Sequence, residues 1–502
     1  MQNLQIILPT IFIVLLTLDY LSNLTKKTSF QIVNEMGIGY NLANSFDSYD
    51  YYQEITNADD AITLFGNPIP TKKLIANIKK YGFKTIRFPV TWAYFIDEYG
   101  NIDPEWILRV KEVVKWIIEK NIYCILNVYS DTKFWLTGIE SKNKYINLWK
   151  QIAEEFKDFN GFLIFESMNE PLFLSFFNYN YDALFDFSQS FIDTIRNSEQ
   201  YNKERLLIIS GMSSNFELTT SPQFKIPIDP ANRLAISIKY YIPTEFATNE
   251  AYWFNNKDYW GTSDDYKILL DNFVTLKNIF ISKGIPVVIG EVGVVTEKSK
   301  ELKSIREYLC SVFSLSIEYK GIMACLWDTS NKDFGDMNYY NRLNDEWYDN
   351  KIKNILMKIS KGNIVKSSDF YIYTNLETLI NIEQNYYLTI TFGTKKPLRI
   401  IINICCGGKL YYDYYFDLYS MDAGRWRHSI DFDETNSKRN YDGTITYTIN
   451  LRDIDCNEYF DIYNYYGEVY IKNITIEYQE NFNSFYYDDY KAKIINEINE
   501  IN

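Results

Sequence analysis

From Met36 to about Ile359 the chain alternates short, nearly continuous apolar runs with longer stretches whose apolar residues recur at helical spacing. The apolar runs are MGIGYNL, KTIRFPV, YCILNVYS, FLIFESMNE, RLLIIS, RLAISIKYY, PVVIGEVG and IMACLWD, eight in all. Between them lie segments such as DPEWILRVKEVVKWIIEK, where Trp106, Val110, Val113, Val114 and Ile117 form a helical stripe behind an Asp-Pro start. Segments 71–81, 145–159, 181–197, 267–283 and 300–319 read the same way. Strands that are apolar on both faces and alternate with helices belong to a parallel sheet covered by those helices. Eight such units in roughly 320 residues predict a (β/α)8 TIM barrel. A doubly wound open sheet is the alternative, but no G-x-G-x-x-G follows the first run, which argues against a dinucleotide site.

The texture changes after about Val365. Runs such as YYLTITF, LRIIINICC, GTITYTINL and GEVYIKNITIEY alternate apolar and polar residues and are separated by Gly, Asn and Asp. That is the pattern of an antiparallel sheet with one face buried. The predicted organisation is an α/β barrel over 30–362, a smaller all-β sandwich over 366–480 and a polar tail over 481–502. The tail, YYDDYKAKIINEINEIN, carries a weak helical pattern. Ahead of the barrel, MQNLQIILPTIFIVLLTLDYL holds an apolar run shorter than the roughly 20 residues that span a bilayer. It predicts a signal peptide over 1–25, with a membrane anchor or a buried first helix as alternatives. Asn23-Leu-Thr and Asn473-Ile-Thr are candidate glycosylation acceptors.

Charge and composition narrow the chemistry. A balance of 51 basic against 65 acidic residues gives −14, which repels phosphate backbones and excludes nucleic acid as an expected partner. The chain has one histidine, His428, which argues against a multi-histidine metal site and against a Ser-His-Asp triad. No C-x-x-C pattern suggests zinc, and no metal or organic cofactor is expected. Cys124 and Cys325 lie in apolar runs and are expected as buried thiols, whereas Cys405, Cys406 and Cys456 could supply one disulfide in a secreted protein. Aromatic residues reach 17%, which suits sugar faces and core packing alike. Acid–base work must therefore fall to carboxylates, Tyr or Lys.

In a (β/α)8 barrel the loops after the strands build the active site. That rule selects Arg87 in the second run, Tyr129, Ser130 and Asp131 after the third, and Asn169 and Glu170 after the fourth. It also selects Lys239 and Tyr241 after the sixth, Glu291 at the seventh, and Trp327 and Asp328 at the eighth. Glu166 falls earlier in its strand and is expected inside the barrel, behind the site. Carboxylates at the fourth and seventh strand ends would face each other across the mouth. Glycoside hydrolysis needs such a pair, one as proton donor and one ionised on the other side of the anomeric carbon.

These motifs, in order, resemble glycoside hydrolase family 5, the family of many cellulases. The resemblance runs over about residues 34–360 and rests on MGIGYNLANSFD, FGNPIPTKKLIANIKKYGFKTIRFPVTW, the third run with FWLTG soon after it, FESMNEP, IGEVG and LWD. It implies a retaining mechanism with Glu170 as acid/base and Glu291 as nucleophile. It further implies that Asn169 holds the sugar 2-hydroxyl, that Arg87 keeps the nucleophile ionised and that Tyr241 hydrogen-bonds it. Trp327 becomes the platform under the sugar, with Trp135 a further contact.

Three residues depart from the family pattern. Tyr129 and Ser130 stand where the family has two histidines, and Lys239 stands where it has a third. Tyr and Ser can still hydrogen-bond a sugar hydroxyl. An ammonium beside Glu170, however, favours the ionised form, whereas an acid catalyst must carry a proton. Lys239 could instead pair with another acid such as Asp131, or lose its own proton if desolvated. The expected function is a secreted, monomeric hydrolase of a β-glucan polysaccharide or oligosaccharide, with no stable membrane partner. Two alternatives stand beside it: a catalytically weak relative that binds β-glucans, and a cell-surface role carried by the C-terminal sandwich.

Overall fold

The structure, a computed structural model, describes residues 27–48, 55, 57–129, 139–175, 178–248, 257–296, 300–332, 337–365 and 485–501. Between 366 and 484 it describes the strands of a second unit as backbone alone. The expected signal peptide, Ser130, Asp131 and Trp135 lie outside the described residues. Among the described residues no helix is long and apolar enough to cross a membrane.

Eight parallel strands close into a barrel: β1 (Ile38–Asn41), β2 (Thr85–Phe88), β3 (Tyr123–Asn127), β4 (Leu163–Glu166), β5 (Leu207–Ser210), β6 (Leu234–Lys239), β7 (Val287–Val292) and β8 (Ile322–Leu326). Each pairs with its sequence neighbours, and β8 returns to β1 through Ile38–Ala324, Gly39–Cys325 and Tyr40–Leu326. The open-sheet alternative is thereby excluded. Strand residues are buried almost throughout, because barrel side chains fill the interior on one face and meet the helices on the other.

The helices follow from their caps and stripes. Eight bear on the argument: α1 (Ser29–Met36), α2 (Lys72–Lys80), α3 (Pro104–Glu119), α4 (Ile139–Glu155), α5 (Tyr181–Arg196), α6 (Ser263–Ile279), α7 (Leu302–Glu318) and α8 (Asn350–Ser360). In α3 the Asp103 side chain accepts from the amides of Glu105 and Trp106, with Pro104 at the first helical position. That arrangement satisfies amides that a helix start leaves unpaired. The predicted stripe of Trp106, Val110, Val113, Val114 and Ile117 is the buried face. α4 begins earlier than its apolar pattern suggested, since its first turn is polar. After β5 a 3-10 turn, Met212–Ser214, and the short helix Phe216–Thr220 stand where a full helix is usual.

α1 closes the base of the barrel. It opens on a capping box between Thr28 and Gln31. Its Ile32, Val33 and Met36 join the interior layer of Ile125, Ile164, Ile208, Val288, Met323 and Cys325. Cys124 and Cys325 are buried free thiols, as is Cys310.

The chain divides into two compact units, Ser367–Asp488 forming the second. Its strands pair antiparallel in a six-stranded and a four-stranded sheet, the latter ordered Tyr387–Thr391, Tyr459–Asn464, Phe416–Ser420 and Trp426–Ile430. The chain then returns to the first unit as a further helix, α9 (Phe485–Asn499). Tyr490, Ile494 and Ile498 are buried along it at helical spacing, and Ile501 is buried just beyond its end. Tyr490 packs edge-on against Tyr266 of α6 at 5.7 Å between ring centroids, and Glu497 pairs with Lys358 of α8. Ile494→Ala is expected to lower unfolding free energy by about 2–5 kcal/mol. The exposed Asn496→Ala should change it by no more than about 0.5 kcal/mol. Denaturant melts followed by tryptophan fluorescence measure both.

Candidate active site

The site grows from one arginine in the barrel. Arg87, on β2, is 1% exposed and points along the interior. Its Nε donates to Glu166 Oε2 at 2.7 Å, and its Nη1 donates to Glu291 Oε1 at 2.9 Å and to Asn41 Oδ1 at 3.1 Å. Its Nη2 donates to Asn169 Oδ1 at 3.1 Å. Burial pulls the guanidinium toward losing its proton, but Glu166 and Glu291 outweigh that effect and the net shift is upward.

Glu166 is the interior supporter expected from its place in β4. Besides Arg87, it accepts from Asn127 Nδ2 at 3.0 Å and from the Ser237 hydroxyl at 2.7 Å. Asn41 donates in turn to the Gly290 carbonyl at 2.8 Å. Asn41, Asn127 and Ser237 were not singled out in the sequence. Their signal was available: each is a polar residue within or at the end of an otherwise apolar strand, and such a residue needs partners when buried.

Glu291 reaches the same space by a fault in strand register. Along β7, Val288 faces the barrel interior, and strict alternation would turn Gly290 inward and Glu291 outward. Against β8, however, three steps from Ile289 to Val292 match two steps from Ala324 to Leu326. Against β6, Ile289 and Glu291 match the consecutive Ile238 and Lys239. The extra residue is a β-bulge, which re-aims Glu291 into the mouth. Gly290 still faces inward: a Cβ there would lie 3.1 Å from Ser237 Oγ and 3.3 Å from Arg87 Nε. A glycine leaves that space to the Arg87–Glu166 pair.

Glu170 lies beyond β4, in Asn169-Glu170-Pro171, with its side chain 52% exposed. Its φ is +45°, a left-handed conformation that non-glycine residues avoid and that a following proline further disfavours. Neighbouring bonds hold the turn. Asn169 N donates to Val128 O at 2.9 Å, Ser213 N to Pro171 O at 2.7 Å, and the Ser210 hydroxyl to the Met168 carbonyl. Strain of this kind persists where surrounding structure enforces it, and it clusters at functional sites.

Lys239, at the end of β6, lies between the two carboxylates. Its Nζ is 2.8 Å from Glu170 Oε1 and 2.9 Å from Glu291 Oε2. Added together, those contacts put an upper limit of about 5.7 Å on the separation of these two oxygens. Burial favours the neutral amine, but Glu170 and Glu291 prevail and raise the lysine above its usual range. The expectation that desolvation could strip its proton is therefore corrected: two carboxylates at contact distance hold it charged. Pairing with Asp131 falls outside the described residues.

The remaining site residues gather around this core. The Tyr241 hydroxyl donates to Glu291 Oε2 at 3.0 Å. Tyr129 and Trp327 present nearly parallel rings, 12° apart with centroids at 6.0 Å, and the Lys239 ammonium lies 5.9 Å from the Tyr129 ring centre. Burial first, and then the charge on Glu291, push both tyrosines well above 10, so both remain hydrogen-bond donors. Asp328 lies to one side, buried, accepting from the Tyr40 hydroxyl at 2.5 Å and the Tyr339 amide at 2.9 Å. It ties together the loop after β8, where the Ser330 amide also donates to it. Asp47, in the loop after β1, accepts from the amides of Asn44 and Ser45, and burial raises it to about 6. Among the described residues no cluster of His, Cys, Asp and Glu could hold a metal.

Comparisons with known proteins converge on one family. The sequence model described as "Cellulase (glycosyl hydrolase family 5)" matches residues 49–333. Endoglucanase A of Clostridium longisporum is 32% identical over 357 residues, which are 66% of this chain and 66% of that protein. A broad-specificity endoglucanase from an uncultured bovine rumen ciliate is 45% identical, with a TM-score of 0.65, covering 67% of this chain and 99% of that one. A family 5 lichenase from a Caldicellulosiruptor species, solved in complex with cellotetraose, is 27% identical with a TM-score of 0.62, covering 67% and 96%.

The φ of Glu170 carries a prediction. Glu170→Gly and Glu170→Ala both lose the contact with Lys239, but only the alanine keeps the left-handed strain. The glycine variant should be more stable by about 1 kcal/mol in a denaturant melt.

Proposed function

The chain belongs to glycosyl hydrolase family 5, and on that premise we propose that it cleaves β-linked glucans by a retaining, two-glutamate mechanism. Glu291 is the nucleophile. Its carboxylate is ion-paired with Arg87 and Lys239 and oriented by the Tyr241 hydroxyl. Glu170 is the acid/base, half-exposed at the mouth where a leaving oxygen and then a water can reach it. Asn169 commits its Oδ1 to Arg87, so its amide nitrogen is what it offers a sugar hydroxyl. Trp327 and Tyr129 supply the flat faces on which a sugar ring can rest.

The observation that carries this reading is the single ammonium shared by the two carboxylates. It keeps one oxygen of each within about 5.7 Å of the other. Retaining enzymes hold their carboxyl groups roughly 5–5.5 Å apart, and inverting enzymes leave about 6.5–9.5 Å for an intervening water. In the first step a Glu291 oxygen bonds to the anomeric carbon while the leaving oxygen departs with the Glu170 proton. In the second, Glu170 takes a proton from water, which attacks the same carbon and frees Glu291.

We place the enzyme outside the cell, in keeping with the apolar N-terminal run and with a polymer that cannot enter. The second unit, as a β-sandwich, would serve as an accessory domain. The endoglucanase names of the relatives and the cellotetraose held by the lichenase support a glucan as substrate.

Purified protein is to be incubated with soluble β-glucan, xyloglucan and mannan. Reducing ends should appear from β-glucan, and Glu291→Ala should lower the rate by at least about a thousandfold. The first product sugar should carry the β configuration when followed by proton NMR. Binding of glucan without new reducing ends would favour the non-catalytic reading instead.

A further inference from the structure

Lys239 stands at contact distance from both glutamates, and its consequences differ between the two steps. We propose that Lys239 is a charge-setting positioning residue, a counter-ion shared by Glu170 and Glu291, which restrains the acid-assisted first step. This rests on the two-glutamate reading above.

Before reaction, a productive enzyme has Glu291 ionised and Glu170 protonated, and Lys239 pairs with Glu291. After the first step Glu291 is a neutral ester and Glu170 is the carboxylate. Lys239, 2.8 Å from Glu170 Oε1, is already in contact with the charge at its new location. One ammonium thus serves as counter-ion on both sides of the step without moving far. The same geometry has an opposite effect on the resting enzyme. With both glutamates ionised, Lys239 contacts two carboxylates at once, and this form lacks the proton that the first step requires.

The other charged and titratable groups facing the pair do not offset this. Arg87 reaches Glu291 from β2 and is itself positive. Tyr129 and Tyr241 remain neutral donors. Glu166 is already bound by Arg87, Asn127 and Ser237. A neutral residue at 239 would remove the one cation in contact with Glu170 among the described residues.

The test separates leaving groups by their need for a proton. A dinitrophenyl β-cellobioside departs without acid help, whereas an unsubstituted phenyl β-cellobioside needs it. Both are to be measured with the full-length wild type, Lys239→Met and Lys239→Arg. In Lys239→Met, the ratio of kcat/KM for the phenyl substrate to that for the dinitrophenyl substrate should rise about tenfold or more, at neutral pH. The alkaline limb of its phenyl kcat/KM profile should move to higher pH by about one unit. Lys239→Arg retains the charge and should keep the wild-type ratio and limb.

A Lys239→Met enzyme whose activity changes equally on both substrates, with an unmoved alkaline limb, overturns the proposal and leaves the hydrolase reading intact. Failure of the wild type to turn over the dinitrophenyl substrate overturns both. If Lys239→Met proves too unstable to assay, Lys239→Gln replaces it and is judged by the same ratio.

Discussion

The buried guanidinium of Arg87 is the constraint from which the site follows. A cation inside a barrel is costly unless each of its donors meets an acceptor, and truncating one partner of such a pair leaves an uncompensated charge. Glu166 satisfies it from below, Glu291 from the mouth, and Asn41 and Asn169 from the sides. The partners are constrained in turn. Glu166 needs Asn127 and Ser237, and Asn41 is tied to the Gly290 carbonyl. The bulge at Gly290-Glu291 has its reason here: one position must be empty to leave room for Arg87, and the next must present a carboxylate to it. Two successive inward positions are impossible in a regular strand.

Much of this was legible in the sequence, for physical reasons. A parallel barrel buries both faces of its strands, so IMACL and PVVIG read as unbroken apolar runs. The rule that strand ends carry the site then points to Arg87, Glu170, Lys239, Tyr241 and Glu291 without any coordinates. Glu166 could be assigned to the interior because it falls earlier in its strand than Asn169 and Glu170, and in the structure it lies on the same strand face as the interior Ile164. The bulge was not legible, because it is a relation between β7 and both neighbouring strands and no local residue pattern specifies it. α1 and α9 were missed or left open for a different reason. Their apolar stripes are short, and only the closed barrel supplies the surfaces that bury Met36 and Ile494. The left-handed Glu170 was equally hidden, since a residue before proline is expected to be extended.

The loss of the family's histidines changes what controls the charge of the site. A histidine at position 239 would titrate near 6.5 and be neutral over much of the range in which an acid/base glutamate works. Lys239 does not, because Glu170 and Glu291 raise it above a range that was already high. Arg87, Tyr129 and Tyr241 are also shifted upward, and the chain's one histidine lies on Trp426–Ile430 of the second unit. Among the described groups that touch Glu170 or Glu291, none can change charge between acid and neutral pH. The proton balance of the mouth therefore belongs to the carboxylates alone, against a fixed field of two cations. In that field the same ammonium that steadies a charged Glu170 after the first step also competes with the proton that Glu170 must hold before it.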